Sequence, residues 1–188
     1  MQTVSNVINL MHQSILPAVV RANVMVDATA GNGGDTFFLA QNMKASCRLY
    51  AFDIQAEAIN HTKQRTEAFA EQITYLQKSH EEIERYVDQP IDVAVFNLGY
   101  LPGADHEAVT KHDSTLTAVK CVLQKLTLQG ICAIMVYPGH PEGRIEADLL
   151  AGFLQALPVR DYTVGCYRLW NHRPEAPYGF IIERTRCV

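Results

Sequence analysis

Short apolar runs alternate with amphipathic segments along most of the chain. Runs rich in Val, Ile, Ala and Phe predict buried strands, and they occupy residues 24–27, 48–53, 73–76, 92–97 and 131–136. Between them, apolar residues recur at helical spacing, which predicts helices over 4–17, from Asp35 onward, and over 55–69, 81–87, 114–125 and 145–157. This alternation predicts an α/β domain with a doubly wound, mostly parallel sheet.

The end of the chain departs from this rhythm. Residues 162–170 and 178–183 have the pattern of strands, but the segment 171–177 between them is too short for a crossover helix. We therefore expect an antiparallel hairpin that closes the sheet. The chain is expected to be one domain over 1–188, in which residues 1–22 form a helix packed on the core. Doubly wound sheets bind ligands at the carboxyl ends of their strands, so the candidates for chemistry are sought there.

A glycine-rich segment follows the first predicted strand. Residues 27–36 read D-A-T-A-G-N-G-G-D-T, and glycines let such a turn approach a ligand closely. A dinucleotide and S-adenosylmethionine both suit this pattern. Asp27 favours S-adenosylmethionine, because a carboxylate attracts the ammonium of a methionyl group and repels a pyrophosphate. The candidate cofactor-binding residues of this loop are Asp27, Thr29, Gly31, Asn32, Gly33, Asp35 and Thr36.

The ends of the second and third strands supply candidate contacts to a nucleoside. Asp53 can accept hydrogen bonds from both ribose hydroxyls, or it can cap the helix that follows. Ile54 can pack on adenine, with Gln55 beside it. Ser79 and His80 follow the third strand, where the adenine edge would lie, and Ser79 also suits the N-cap of a short helix.

The fourth strand ends opposite the loop, in the sequence N-L-G-Y at residues 97–100. Amino-group methyltransferases carry a [DN]-P-P-[YF] motif at this place, and N-L-G-Y keeps its two ends without the prolines. The amide oxygen of Asn97 can orient an amine toward a methyl donor, and the ring of Tyr100 can stack on the target. Asp105 and His106 follow in a loop, where either can receive a proton from the amine. An ordinary turn after the strand is the alternative.

Two later segments fall at the same predicted edge of the sheet. Tyr137 and His140 follow the fifth strand and can meet the substrate, although the nearby Pro and Gly residues can equally serve only to shape a turn. Residues 170–173, W-N-H-R, offer an aromatic and basic surface of the kind that stacks bases, unless Trp170 belongs to the core. The candidate catalytic residues are thus Asn97 and Asp105, and the candidate substrate-binding residues are Tyr100, His106, Tyr137 and His140.

The composition narrows the class of protein. The chain is 48% hydrophobic and 19% charged, as in soluble globular proteins, and has no run long and apolar enough for a bilayer. With no basic residue before Arg21, it lacks the start of a signal peptide, so we expect a cytoplasmic protein. No cysteine pair or histidine spacing is typical of a metal site. The net charge of -4 does not favour nucleic acid, yet arginines concentrate after residue 160, where a polyanion would bind.

Taken together, the segments 27–36, 53–55, 79–80, 97–105 and 137–140 resemble one family in order and spacing. It is the class I methyltransferase family labelled putative rRNA methylase, whose better understood members look like the bacterial enzyme for the wobble uridine of tRNA. The strings D-A-T-x-G-N-G-x-D-T and N-L-G-Y-L-P-G are its most specific features. The resemblance covers nearly the whole chain from about Asn23, and it implies a Rossmann-like sheet of seven strands in the order 3-2-1-4-5-7-6.

The resemblance also implies an activity. It is S-adenosylmethionine-dependent methylation of an RNA amine, with a tRNA anticodon stem-loop as partner and 5-aminomethyl-2-thiouridine at tRNA position 34 converted to 5-methylaminomethyl-2-thiouridine. The chain departs from the family at Ala104 and His106, where a glycine and a lysine are common. Ribosomal RNA or a small amine as substrate, a non-catalytic nucleotide-binding protein, and assembly as a homodimer remain open alternatives.

Overall fold

The computed structural model describes residues 6–99 and 112–186. These residues form a seven-stranded sheet in the order β3-β2-β1-β4-β5-β7-β6. The first five strands run parallel, and β7 runs antiparallel to both β5 and β6. The predicted α/β class, strand order and closing hairpin are therefore confirmed. The strands are β1 (Val24–Asp27), β2 (Arg48–Asp53), β3 (Ile73–Gln77), β4 (Ile91–Asn97), β5 (Leu126–Val136), β6 (Tyr162–Tyr167) and β7 (Tyr178–Arg184).

Helices cover both faces of the sheet. They are α1 (Val7–Val19), α2 (Gly34–Asn42), α3 (Ala56–Arg65), α4 (Ile83–Tyr86), α5 (His112–Lys125) and α6 (Pro141–Gln155), with 3-10 turns at Glu67–Gln72 and His80–Glu82. Helices α1 and α2 share a core with one face, and α4, α5 and α6 share a core with the other. None of the helices in the described ranges is long and apolar enough to cross a membrane.

The central strand β1 is buried along its whole length, because it has a neighbouring strand on each side and helices on each face. Met25 packs with Ile15 and Leu39 in one core, and Val26 packs with Val119 in the other. Burying each such side chain contributes roughly 1.5–3 kcal/mol. The glycine-rich loop therefore starts from the most firmly held strand of the fold.

Helix α1 packs on the α2 face of the sheet and carries two residues to the edge formed by the carboxyl ends of the parallel strands. The side chain of Asn6 caps the helix by accepting the backbone N–H of Ile8 at 2.9 Å. The apolar stripe of α1, from Val7 to Val19, is buried against β4, β5 and β7 as well as α2. Ile8 and His12 lie on the side of the helix that faces the cavity described below.

Two predicted boundaries in the second half of the chain are wrong. Strand β5 begins at Leu126 rather than residue 131, because Gln129, with φ of 61°, forms an irregularity within the strand instead of a turn before it. Helix α6 begins at Pro141 rather than residue 145, since His140 caps it and proline suits the first helical position. Both elements therefore begin earlier in the chain than the apolar pattern predicts.

Two other predicted elements are shorter in the structure. Helix α3 ends at Arg65 rather than at residue 69, because the next residue, Thr66, has left the helical conformation. The Thr66 hydroxyl donates to the carbonyl of Thr62 at 2.7 Å, and such side-chain bonds compete with helix continuation. Strand β6 ends at Tyr167, so Trp170 lies in the hairpin loop and is 95% exposed. Trp170 is therefore not a core residue.

Candidate active site

The glycine-rich loop joins β1 to α2 and passes close to α3. Gly33 has φ of 74°, and a Cβ there would lie 2.9 Å from Cα of Thr62, so only glycine fits without strain. The Thr62 hydroxyl donates to the carbonyl of Gly31 at 3.1 Å. The backbone N–H of Gly31 donates to Oδ2 of Asp53 at 2.9 Å. The loop is thus held by α3 on one side and by the end of β2 on the other.

Asp27 is completely buried behind this loop. Its Oδ1 accepts the backbone N–H of Thr29 at 3.1 Å, and its Oδ2 accepts the hydroxyl of Thr36 at 2.6 Å. Burial, and next the negative charge of Asp35, raise the pKa of Asp27 to about 7. Asp27 therefore holds the loop in place through these two hydrogen bonds. Its direct contact with a methionyl ammonium stays a prediction.

Asp53 lies at the cavity wall and bonds two backbone amides. In addition to Gly31, it accepts the N–H of Gln55, the N-cap of α3, at 2.9 Å. A carboxylate has about four acceptor positions, so these two bonds leave capacity for further donors. Ile54, beside it, is 51% exposed and presents an apolar face. Support of α3 and contact with a ligand are therefore compatible roles for Asp53.

Ser79 and His80 follow β3 at the same wall of the cavity. Ser79 caps the short turn, because its Oγ accepts the backbone N–H of Glu81 at 3.2 Å. His80 hydrogen-bonds to the backbone of Ala28, and burial lowers its pKa, so the ring is neutral near pH 7. Its buried Nε2 has no hydrogen-bond partner in the described part of the chain. An acceptor of this kind can be satisfied by a donor on a bound ligand.

Asn97 ends β4, and a hydrogen bond to each side fixes its amide. Its Nδ2 donates to Oδ2 of Asp35 at 2.9 Å, and its Oδ1 accepts the hydroxyl of Tyr137 at 2.7 Å. The backbone N–H of Asn97 donates to Oγ1 of Thr29 at 2.6 Å, which ties β4 to the loop. Burial, and then the charge of Asp35, raise the pKa of Tyr137, so its hydroxyl is a donor at neutral pH.

Gly99 allows the Tyr137 ring to reach Asn97. A Cβ at Gly99 would lie 3.2 Å from Cε2 of Tyr137, closer than most side-chain contacts. The glycine in N-L-G-Y, at a position where the [DN]-P-P-[YF] motif has proline, therefore leaves room for an aromatic residue from the end of β5. The pattern 97–100 read alone does not indicate this pairing.

His12 is a residue of the site that the sequence pattern does not reveal. Its Nε2 lies 2.6 Å from Oδ1 of Asp35, and its ring stacks on Phe38 with centroids 3.9 Å apart and planes within 1°. One histidine on an amphipathic helix has no distinguishing pattern, because its partner comes from a different helix. The spacing of α1 only shows that position 12 follows the buried Met11.

These residues surround a cavity of about 810 Å³ at the carboxyl ends of the parallel strands. Most predicted site residues line it: Thr29, Gly31, Asn32, Asp35, Asp53, Ile54, Gln55, Ser79, His80, Asn97 and Tyr137. Residues that line it without having been predicted include Ile8, His12, Arg65, Lys78, Ser114 and Glu146.

The remaining predicted residues fall into two groups. Asp27, Gly33 and Thr36 support the loop from behind, and His140 caps α6 by accepting the N–H of Gly143 at 3.0 Å. Contact between His140 and a substrate stays a prediction. Tyr100, Asp105 and His106 lie outside the described residues.

Comparison with known proteins places this geometry in a family. Residues 49–183 match the family described as putative rRNA methylase. A putative rRNA methylase from Clostridium thermocellum has a similar structure, with a TM-score of 0.91 and 30% identity over 97% of this chain and 100% of that one. A putative methyltransferase from Streptococcus mutans, solved with S-adenosylhomocysteine (SAH), has a TM-score of 0.86 and 35% identity over 96% and 99% of the two chains.

A curated relative is similar in sequence. The chloroplastic tRNA (mnm(5)s(2)U34)-methyltransferase of Arabidopsis thaliana is 32% identical over 171 residues, which are 85% of this chain. The match spans 62% of that relative's own length. With the family match over most of the chain, the chain belongs to the putative rRNA methylase family and is an S-adenosylmethionine-dependent methyltransferase.

Proposed function

We propose that this protein methylates a primary amine on RNA, and that its substrate is 5-aminomethyl-2-thiouridine at the wobble position 34 of tRNA. The observation that carries the proposal is the fixed amide of Asn97. It stands at the edge of the cofactor cavity with its oxygen bonded to Tyr137 and its nitrogen bonded to Asp35. An amide oxygen held in this way is an acceptor for the N–H of an amine.

The cavity suits S-adenosylmethionine, which supplies a methyl group on a positively charged sulfur. The carboxylate of Asp53 has acceptor capacity for ribose hydroxyls, and Ile54 offers an apolar surface for a base. The unpartnered Nε2 of His80 can accept the exocyclic amino group of adenine, provided the ring keeps its proton on the side of Ala28. These three side chains come from the ends of β2 and β3, as expected for a nucleoside at this edge.

Methyl transfer to an amine requires a neutral nitrogen and a fixed direction of attack. The Oδ1 of Asn97 accepts from Tyr137 and has a second lone pair for an N–H of the substrate. With S-adenosylmethionine bound, Asn97 would hold the nitrogen lone pair in line with the C–S bond of the methyl donor; the electron pair of that bond would stay on sulfur, and the methylated nitrogen would carry the positive charge. Orientation of this kind lowers the barrier without a covalent intermediate.

The hairpin loop supports RNA as the carrier of the amine. Tyr178 pairs with Val136, and Arg144 lies 3.5 Å from Glu175, so this loop lies beside the end of β5 at the edge that bears the cavity. Trp170 projects from it with 95% of its surface exposed. An exposed tryptophan near arginines is typical of surfaces on which bases stack.

Nucleoside analysis of tRNA tests the substrate. In a strain that lacks the gene, mass spectrometry should show accumulation of 5-aminomethyl-2-thiouridine and loss of its methylated form. Normal levels of the methylated nucleoside would contradict the tRNA assignment. Loss of a methyl group from ribosomal RNA instead would favour the substrate that the family description names. Binding of NAD but not SAH in calorimetric titration would contradict the cofactor assignment.

A further inference from the structure

A chain of hydrogen bonds joins helix α1 to the amide of Asn97. His12 Nε2 lies 2.6 Å from one oxygen of Asp35, and the other oxygen accepts Nδ2 of Asn97 at 2.9 Å. The chain continues from Oδ1 of Asn97 to the hydroxyl of Tyr137 at 2.7 Å. All four side chains line the cavity, and they come from α1, α2 and the ends of β4 and β5.

The carboxylate of Asp35 decides which way the Asn97 amide points. A carboxylate accepts hydrogen bonds, so it binds Nδ2 and leaves Oδ1 on the side of Tyr137. With this carboxylate out of place, the amide could turn over and present its N–H groups to the target amine. The amide would then not accept an N–H of the amine and would not orient the nitrogen lone pair.

His12 is placed to fix the carboxylate of Asp35. Its hydrogen bond to Oδ1 is shielded from water, because the side chains of His12 and Asp35 are only 19% and 12% exposed. Stacking on Phe38 fixes the direction of the imidazole.

We propose that His12 is a positioning residue for methyl transfer. By donating to Asp35 it fixes the position of that carboxylate, which binds Nδ2 of Asn97 and so holds Oδ1 of Asn97 toward the target amine. The inference rests on the proposed function in one respect, that the nucleophile is an amine. The hydrogen-bond chain itself is independent of which RNA carries that amine.

Two substitutions separate the hydrogen bond of His12 to Asp35 from its stacking on Phe38. His12→Gln keeps an N–H donor at a similar distance without an imidazole, and His12→Phe keeps a ring for stacking on Phe38 without a donor. For His12→Phe we expect kcat to fall roughly tenfold, with KM for the RNA and affinity for SAH little changed. His12→Gln should keep most of kcat. Wild-type kcat in His12→Phe, or equal losses in both variants, would overturn the inference.

A spectroscopic readout does not depend on activity. The side-chain amide resonances of Asn97, identified by their loss in Asn97→Ser, report the hydrogen bond from Asn97 to Asp35 in ¹⁵N-labelled protein. Their chemical shifts should move in His12→Phe and stay near the wild-type values in His12→Gln. Equal chemical shifts in all three proteins would refute the role of His12 even if the enzyme methylates tRNA. Moved chemical shifts in a His12→Phe protein whose wild type methylates no RNA would support the role of His12 and refute the proposed function.

Discussion

The hydroxyl of Tyr137 donates a hydrogen bond of 2.7 Å to Oδ1 of Asn97, which links the ends of β4 and β5 at the edge of the cavity. The oxygen that we assign to the target amine is therefore fixed from the side opposite to Asp35. This relationship connects the fold to the proposed chemistry, because the two strands are direct neighbours in the sheet.

Removal of the Tyr137 hydroxyl should slow catalysis without weakening cofactor binding. In Tyr137→Phe we expect kcat to fall roughly tenfold, since one fixed hydrogen bond to the amide is lost. Steady-state kinetics and calorimetric titration with SAH measure the two effects. Tyr162→Phe is the matched control, because its hydroxyl bonds the carbonyl of Leu123 outside the cavity. A Tyr137→Phe enzyme with wild-type kcat would show that the contact has no role in turnover.

A methyl group at Gly99 should act through Tyr137. In Gly99→Ala the new Cβ would crowd the ring of Tyr137, so we expect a lower kcat than in wild type. Gly152→Ala is the control, because no atom lies within 4 Å of a Cβ in that exposed position of α6. It should leave kcat unchanged and raise the free energy of unfolding by about 0.5–1 kcal/mol. Equal kcat in the two variants would contradict the steric role of Gly99.

The sequence predicts the sheet well, because each strand and the closing hairpin can be recognised from a short stretch of consecutive residues. Each buried strand is a short apolar run, and the hairpin follows from a connection too short for a helix. The positions of Asp53 and Asn97 follow from the same reasoning, since each residue ends a parallel strand and such ends meet at one edge.

The hydrogen-bond chain of the site is not predictable in this way. His12 and Asp35 are 23 residues apart, and Asp35 and Asn97 are 62 residues apart, so their contacts depend on how α1 and α2 pack. The burial of Asp27 likewise depends on its place in the central strand. A carboxylate at the end of a strand can point to the ligand or back to the loop, and the sequence does not distinguish the two.

The raised pKa of Asp27 predicts a pH-dependent effect on stability. Folding raises this pKa from its ordinary value of 3.8 to about 7. Between these values the folded state binds more protons than the unfolded state, so the contribution of Asp27 to stability falls as pH rises through this window. The free energy of unfolding of wild type minus that of Asp27→Asn should therefore be lower at pH 8 than at pH 5.

Chemical denaturation at the two pH values measures this difference. The other titrating groups are common to both proteins, so their effects cancel in the comparison. Asp88→Asn, at an exposed carboxylate, should differ little from wild type at either pH. An identical difference between wild type and Asp27→Asn at both pH values would contradict the raised pKa.

Trp170 is predicted to contribute to RNA affinity alone. Stacking of one base is worth about 1–3 kcal/mol, so Trp170→Ala should weaken binding of a tRNA anticodon stem-loop by roughly tenfold, while SAH affinity stays constant. Val159→Ala is the control, because Val159 is 86% exposed and lies before the start of β6, at the other end of that strand from the hairpin loop. Fluorescence anisotropy at fixed salt concentration measures both variants. Equal affinities for RNA would exclude the hairpin loop as a contact surface.

Methyl transfer by the purified protein is the direct test of the proposed reaction and of the role of Asn97. Wild type and Asn97→Ala are incubated with labelled S-adenosylmethionine and tRNA from a strain lacking the gene, and the nucleosides are then separated and identified by mass spectrometry. We expect wild type to convert 5-aminomethyl-2-thiouridine to its methylamino form, and Asn97→Ala to bind SAH normally but convert far less. Failure of wild type to methylate this nucleoside would contradict the proposed substrate, and equal conversion by the two proteins would contradict the role of Asn97.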